Sequence, residues 1–247
     1  MGVSIHDSVI EELAPKGVLR VALNMANFLL VTGRDGSGNP TGVSPGVAHA
    51  VANELGVPVE FIEYKGPGEI ADSATTDAWD IGNIAAEAER AKVIHFSDAY
   101  CEIQATYMLP PGSTIKTLDQ VDQAGHRIAV KERAAYDLYL SATIKHATLV
   151  RVESIDDSFK IFEQEQLEVL AGLRPALLTQ QIQMPGARIL DQSFTAVQQS
   201  IGCKPGKPAA AEYLKTFVRR SITNGLIDSL IEKHGVKGRL SSASPVA

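Results

Sequence analysis

The sequence predicts an α/β protein of two lobes, each with a mainly parallel sheet flanked by helices, hinged by two strands. Three observations carry that expectation. Strand-like and helix-like segments alternate over residues 17–84. The alternation starts again beyond residue 113. Two extended runs, "CEIQATYMLPPGS" and "FTAVQQSIG", bracket the second series, and a pair of helices follows the second run. A β-α-β series implies parallel strands with helical crossovers. Two such series joined by extended runs divide the chain into one lobe of residues 1–107 plus 198–247 and another of residues 108–197. Ligands of α/β proteins bind at the C-terminal ends of such strands, which here places the expected cleft between two sheets.

Each element has a local reason. Ile5, Val9, Ile10 and Leu13 share one helical face, and Pro15 closes it. "GVLRVALN" reads as a buried strand. A helix from about Pro45 to Leu55 follows, with proline tolerated in its first turn and Gly56 placed at its C-terminal cap. "VPVEFIEY" alternates as a strand does, a short helix covers Glu69 to Ala74, and "WDIGNI" is the next strand. In the second lobe, strands are expected at 127–130, 148–152 and 167–171, and helices at 134–145, 156–164 and 175–182. Pro110 and Pro111 mark a boundary. The helices "AAAEYLKTFVRRSITNG" and "LIDSLIEKHG" return to the first lobe, and only the tail "SSASPVA" reads as disordered.

Composition narrows the function. Hydrophobic residues make up 45% of the chain and charged residues 21%, as in ordinary globular proteins. A net charge of −6 without any basic run argues against nucleic acid as a partner. No run of ~18 apolar residues is present to insert in a membrane. Cys101 and Cys203 are too few for a disulfide framework, and the six histidines lack HxH or HExxH spacing, so no metal is expected. No cofactor is expected either, because GxSxG, Walker and GxGxxG signatures are missing. The stretch "MGVSIHDSVIEELAPKG" has no Lys or Arg before Lys16 and no apolar core, unlike a secretory signal. The expectation is a cytoplasmic protein as written, periplasmic if a leader has been removed.

The words "LAPKGVLRVALN", "PTGVSPGVAHAVANELGV", "WDIGNIAAEAERAKVIHFSDAY", "TLDQVDQAGHRIAV" and "GLIDSLIEKHGV" occur in order and at telling spacing. Together they resemble the family 3 solute-binding proteins of polar amino acid ABC transporters, over roughly residues 13–236. The resemblance implies a type II periplasmic-binding-protein fold, a small-molecule carboxylate ligand and an ABC permease as partner. It also implies that Arg90, standing before "FSDAY", binds the ligand's α-carboxylate. A planar guanidinium can donate two parallel hydrogen bonds and keeps its charge at all working pH values. The bland alternative is a surface pair of Arg90 with Glu87 or Glu89.

The remaining site residues follow from the resemblance, and several depart from its pattern. Asn83 to Ala86 occupy the shelf that usually offers Gly and Thr, so Asn83 and the Ala85 backbone are expected at the carboxylate. Arg133, Ala134 and Ala135 replace the family's Gly and Ser/Thr at a helix N-terminus whose free amides suit an anion. In the word "LEVLAGLRPAL", Leu173 replaces the Asp that holds the ligand ammonium, and Arg174 beside it suits a second acid group. Asn24 and Asn27, with Phe28, stand where an acid and an aromatic are usual, and Val43 and Ser44 form a second wall. No catalytic residue is assigned. The same fold hosts enzymes such as cyclohexadienyl dehydratases, for which Glu87, Glu89, Glu132 and Asp137 are the available proton donors; a cytoplasmic ligand sensor is the third reading. Asp80 is expected to serve structure and Trp79 the core; Tyr136 and Asp137, one turn into the second-lobe helix, are candidates to face the cleft, with core packing for Tyr136 and solvent for Asp137 as the bland alternatives. His95 is expected to be packed in the core. Of Gln198 and Gln199, one is expected at ligand and the other at water.

Overall fold

The computed structural model describes residues 7–244, so Ile5, expected on the first helical face, lies outside the described residues. The chain divides into two compact units: Met1–Glu102 with Gln198–Ala247, and Ile103–Val197. Each has its own hydrophobic core cluster and its own set of paired strands.

The first unit opens with α1 (Asp7–Leu13) and β1 (Leu19–Asn24). A small antiparallel hairpin, β2 (Gly33–Arg34) and β3 (Pro40–Thr41), leads into α2 (Val43–Leu55). Gly56 ends α2 with φ 71°, a left-handed conformation that glycine adopts without a Cβ penalty. Then come β4 (Val59–Tyr64), α3 (Pro67–Asp72) and β5 (Ile81–Ala85). β4 and β5 flank β1, both parallel to it, as the β-α-β pattern requires. The burial of β1 and β5 along their length marks them as central, whereas β4 alternates. β6 (His95–Leu109) begins six residues before "CEIQATYMLPPGS" and carries the chain into the second unit.

The second unit contains β7 (Arg127–Lys131), α4 (Ala135–Thr143), β8 (Thr148–Val152), α5 (Ile155–Gln164), β9 (Val169–Leu173), α6 (Arg174–Gln181) and β10 (Arg188–Ile189). β7 lies parallel to β8 and β9, while the later part of β6 runs antiparallel to β9 and β10. Met108, Phe159, Phe162, Leu167, Leu170 and Leu177 build its core. β9 starts two residues later than the pattern suggests. Gln166 turns left-handed (φ 51°), and the amides of Gln166 and Leu167 bond back to Glu163 and Phe162. That Schellman closure of α5 commits Leu167 to plugging the helix end, so the strand cannot begin there.

β11 (Thr195–Cys203) returns the chain to the first unit and pairs antiparallel with β5. α7 (Pro208–Thr223) and α8 (Leu226–Lys233) follow. The described part of the tail, residues 241–244, departs from its expected disorder: β12 (Ser241–Ser242) pairs with β6, the Ala243 amide bonds to the Tyr100 carbonyl at 3.0 Å, and Ala243 is buried, while residues 245–247 lie outside the described residues.

Trp79 is buried as expected, Tyr136 is buried too, and both cysteines are free and buried. One expectation is reversed and one alternative is ruled out. His95 is exposed, because at the start of β6 its side chain faces away from the cluster holding Ile94. Asp137 is buried rather than solvated, since Arg151 and the Arg133 amide supply it with donors.

Candidate ligand-binding residues

Arg90 opens a single tight helical turn just past the end of β5. It is 3% exposed, and one terminal nitrogen donates to the Ala85 carbonyl at 2.9 Å. Its burial excludes a solvated turn, and Lys92, exposed like its partner, pairs with the Glu89 carboxylate at 2.5 Å. Burying a guanidinium this deeply is costly unless anions or carbonyls receive its donors. Glu87 is half-buried nearby. Burial pushes its carboxyl up from the ordinary value, and the positive charge of Arg90 offsets part of that rise.

The strand end whose Ala85 carbonyl receives Arg90 carries two buried amide side chains on one sheet face. Side chains two residues apart on a strand share a face, and directly paired residues share it across strands. Asn83 and Ala85 of β5 therefore line up with Ile201 and Gln199 of β11, their respective partners. Asn83 is flanked by Leu23 and Ile201, both fully buried. Its amide nitrogen donates to the Ser44 carbonyl at 3.0 Å, which fixes the orientation of the amide. Its oxygen Oδ1 meets no donor among the described residues, nor does Oε1 of Gln199. The Ser44 hydroxyl bonds to the Tyr100 hydroxyl at 2.7 Å, and burial raises the Tyr100 pKa well above its usual value. Ser44 is thus bonded by both its carbonyl and its hydroxyl.

Asn24 and Asn27 serve the turn after β1. Oδ1 of Asn24 accepts the Ala26 amide and Oδ1 of Asn27 the Leu29 amide, each at 3.2 Å. These are Asx turns, a local role for which Asn is suited. Phe28 stands exposed between them and the hairpin.

In the second unit, Arg133 has φ 58°, a conformation in which glycine is at ease and a side chain is strained. This accounts for the glycine usual at that place. Ala135 is buried in the first turn of α4, which has no side-chain cap. The carboxylate of Asp137 serves that helix end instead: Oδ2 accepts the Arg133 amide at 2.7 Å and Oδ1 accepts Nε of Arg151 at 2.9 Å. Arg174 donates to the Gln104 side chain at 2.8 Å, the carbonyls of Leu190 (3.1 Å) and Asp191 (2.7 Å), and the Ser193 hydroxyl (3.2 Å). Three of these four contacts tie it to the 190–193 segment. The expected role in holding a second ligand acid is displaced by this structural one, because carbonyls within its own unit already receive its fork. Leu173, beside it, is buried and apolar.

Comparison with known proteins finds that the profile of the bacterial extracellular solute-binding proteins, family 3, matches residues 19–237. The chain belongs to this family. The glutamine-binding protein GlnH of a Bacillus subtilis ABC transporter is 21% identical over 145 residues, which cover 59% of this chain. The match spans about half of that relative, 53% of its length. Among solved structures, an ancestral amino acid-binding protein that is a precursor of cyclohexadienyl dehydratase superposes with a TM-score of 0.73 at 22% identity, covering 91% of this chain and 98% of its own. A mutant of ArgBP from T. maritima gives 0.74 at 22% identity, covering 93% and 100%. These likenesses place the chain among type II periplasmic-binding-protein folds.

Within the first unit, the family 3 architecture gathers Arg90, Asn83 and Ala85 at the end of β5, and Asn24 and Asn27 at the turn after β1. Arg133, Ala135 and Arg174 belong to the second unit. Sequence reading left Gln199 undecided against Gln198. The signal that separates them is strand parity, since only Gln199 shares the face of Asn83 once the β5 to β11 register is known. Among the described residues there is no group of three metal-ligating side chains, and no helix is long and apolar enough to cross a membrane.

Proposed function

We propose that this protein binds a small carboxylate-bearing metabolite, an amino acid or a related organic acid, and delivers it to an ABC permease from outside the cytoplasm. Arg90 carries the reading: a family 3 chain that retains one deeply buried arginine beside the strand end where its relatives bind solute. The guanidinium receives the ligand carboxylate, with Asn83 and the Ala85 backbone shaping the shelf. Truncating one partner of a buried, hydrogen-bonded charge pair costs about 2–5 kcal/mol, so Arg90→Ala weakens binding roughly 30-fold or more. Calorimetric titration against a panel of amino acids and organic acids measures this, with Arg90→Lys as the variant that keeps the charge and loses the fork. Unchanged affinity in Arg90→Ala sinks the assignment. Cell fractionation of the producing organism tests the compartment.

A dehydratase is the second reading, favoured by Glu87: a half-buried carboxyl with a raised pKa beside a cation is suited to protonating a leaving group. Product formation from prephenate or arogenate, abolished by Glu87→Gln, is its test.

A further inference from the structure

We propose that Asn83 and Gln199 form a neutral donor-binding subsite that makes this protein prefer 2-hydroxy acids over the matching 2-amino acids. The inference rests on Arg90 holding the ligand carboxylate, and it names the group attached next to that carboxylate.

Two buried amide oxygens carry the argument. Asn83 is 1% exposed and Gln199 3% exposed, yet Oδ1 of one and Oε1 of the other meet no donor among the described residues. The Asn83 amide cannot be turned to remove the problem, because its nitrogen already faces the Ser44 carbonyl, which can only accept. Buried acceptors in folded proteins are nearly always met by a donor, so two on one sheet face call for donors from outside the chain. Register makes them diagonal neighbours on adjacent strands, with Cα atoms roughly 7–8 Å apart. Ala85, the residue directly opposite Gln199, is the one whose carbonyl receives Arg90. The anion anchor and the two acceptors therefore belong to one end of one strand pair.

The chemistry of the acceptors selects the donor. A hydroxyl brings no charge and donates its one hydrogen bond to one of the two amide oxygens, leaving the other to ordered water. An ammonium brings a positive charge to a place that already holds Arg90, and amide oxygens cannot neutralise it. The nearest carboxyl on this segment, Glu87, is already under the influence of Arg90.

The test uses matched triplets: lactate, alanine and propionate; 2-hydroxyglutarate, glutamate and glutarate; 3-phenyllactate, phenylalanine and 3-phenylpropionate. Calorimetry on the intact protein is expected to show the hydroxy acid of at least one triplet binding tenfold or more tightly than its amino acid and its deoxy acid. Gln199→Leu and Asn83→Leu are expected to bring the hydroxy and deoxy acids within about threefold of each other. Gln199→Glu, which adds a carboxylate, is expected to move the preference toward the amino acid. If Gln199→Leu and Gln199→Glu leave all three ratios unchanged while Arg90→Ala abolishes binding, ordered water alone serves these oxygens and the subsite is refuted. If amino acids bind more tightly throughout, it is likewise refuted. If Arg90→Ala leaves affinity intact, or no triplet binds, the carboxylate reading beneath it falls as well.

Discussion

Arg20 and Asp80 show how far a single pair can be committed to structure. Arg20 is 6% exposed and Asp80 fully buried; the Arg20 amide and Nε donate to Oδ2 at 3.0 and 2.9 Å, and a terminal nitrogen donates to Oδ1 at 2.7 Å. Removing one partner of a buried pair costs about 3–5 kcal/mol where the other charge is left uncompensated, and here the Asp77 carboxylate, 2.9 Å from the Arg20 guanidinium, holds the loss of Asp80 to the lower end of that range. Asp80→Ala should lower stability by that amount in urea unfolding. Glu87 gives the opposite sign. Its folded-state pKa is raised by burial, so the folded protein favours the protonated form. The destabilisation is absent below the ordinary carboxylate range and grows as pH rises through it. Glu87→Gln should therefore be more stable than the natural protein at pH 7, with the difference closing toward pH 4 in paired denaturant titrations. Burial pushes the Cys203 thiol up to about 11 and Cys101 well above its usual value. Both thiols should resist a thiol reagent at pH 8 until the protein is unfolded.

Among the elements, α2 depends on one glycine. Gly42, at its N-cap, has φ 146°, and a Cβ there would stand 2.2 Å from the Leu30 carbonyl oxygen. That atom is backbone and cannot swing aside. Gly42→Ala should cost about 1–3 kcal/mol, whereas Gly36→Ala, with open space around it, should be nearly silent in the same thermal melts. Because α2 carries Ser44, whose carbonyl orients Asn83, the Gly42 variant should also weaken ligand binding. Element order and type were largely legible in the sequence, since caps such as Gly56 and the 3.6- and 2-residue periodicities are local signals. The later start of β9 was not. A glutamine rather than a glycine takes the left-handed position after α5, and Gln166 carries no such signal.

At the scale of the whole molecule, the chain passes between its two units within β6 and β11, at Glu102–Ile103 and Val197–Gln198. The extended runs mark these passages in the sequence, the second at residue 198 and the first expected somewhat later, at 107. A ligand that binds only the folded state adds about 2.7 kcal/mol of stability at one hundred times its Kd. For a chain of this length that corresponds to roughly 5–10 °C in Tm. The shift should be present with a bound carboxylate and lost in Arg90→Ala.

The sequence by itself determined the α/β alternation, the return of the last helices to the first unit, and the family, because these rest on propensities and words that neighbouring residues read together. Only the tertiary structure decided what each polar side chain meets. Ser44 reaches Tyr100 across 56 residues and Arg20 reaches Asp80 across 60. Arg174 reaches the 190–193 segment, Asp137 meets Arg151, and the oxygens of Asn83 and Gln199 are turned to one face by a register that no local pattern encodes. Periodicity is set within one or two turns of chain; hydrogen-bond partners are set by packing, which joins residues far apart in sequence.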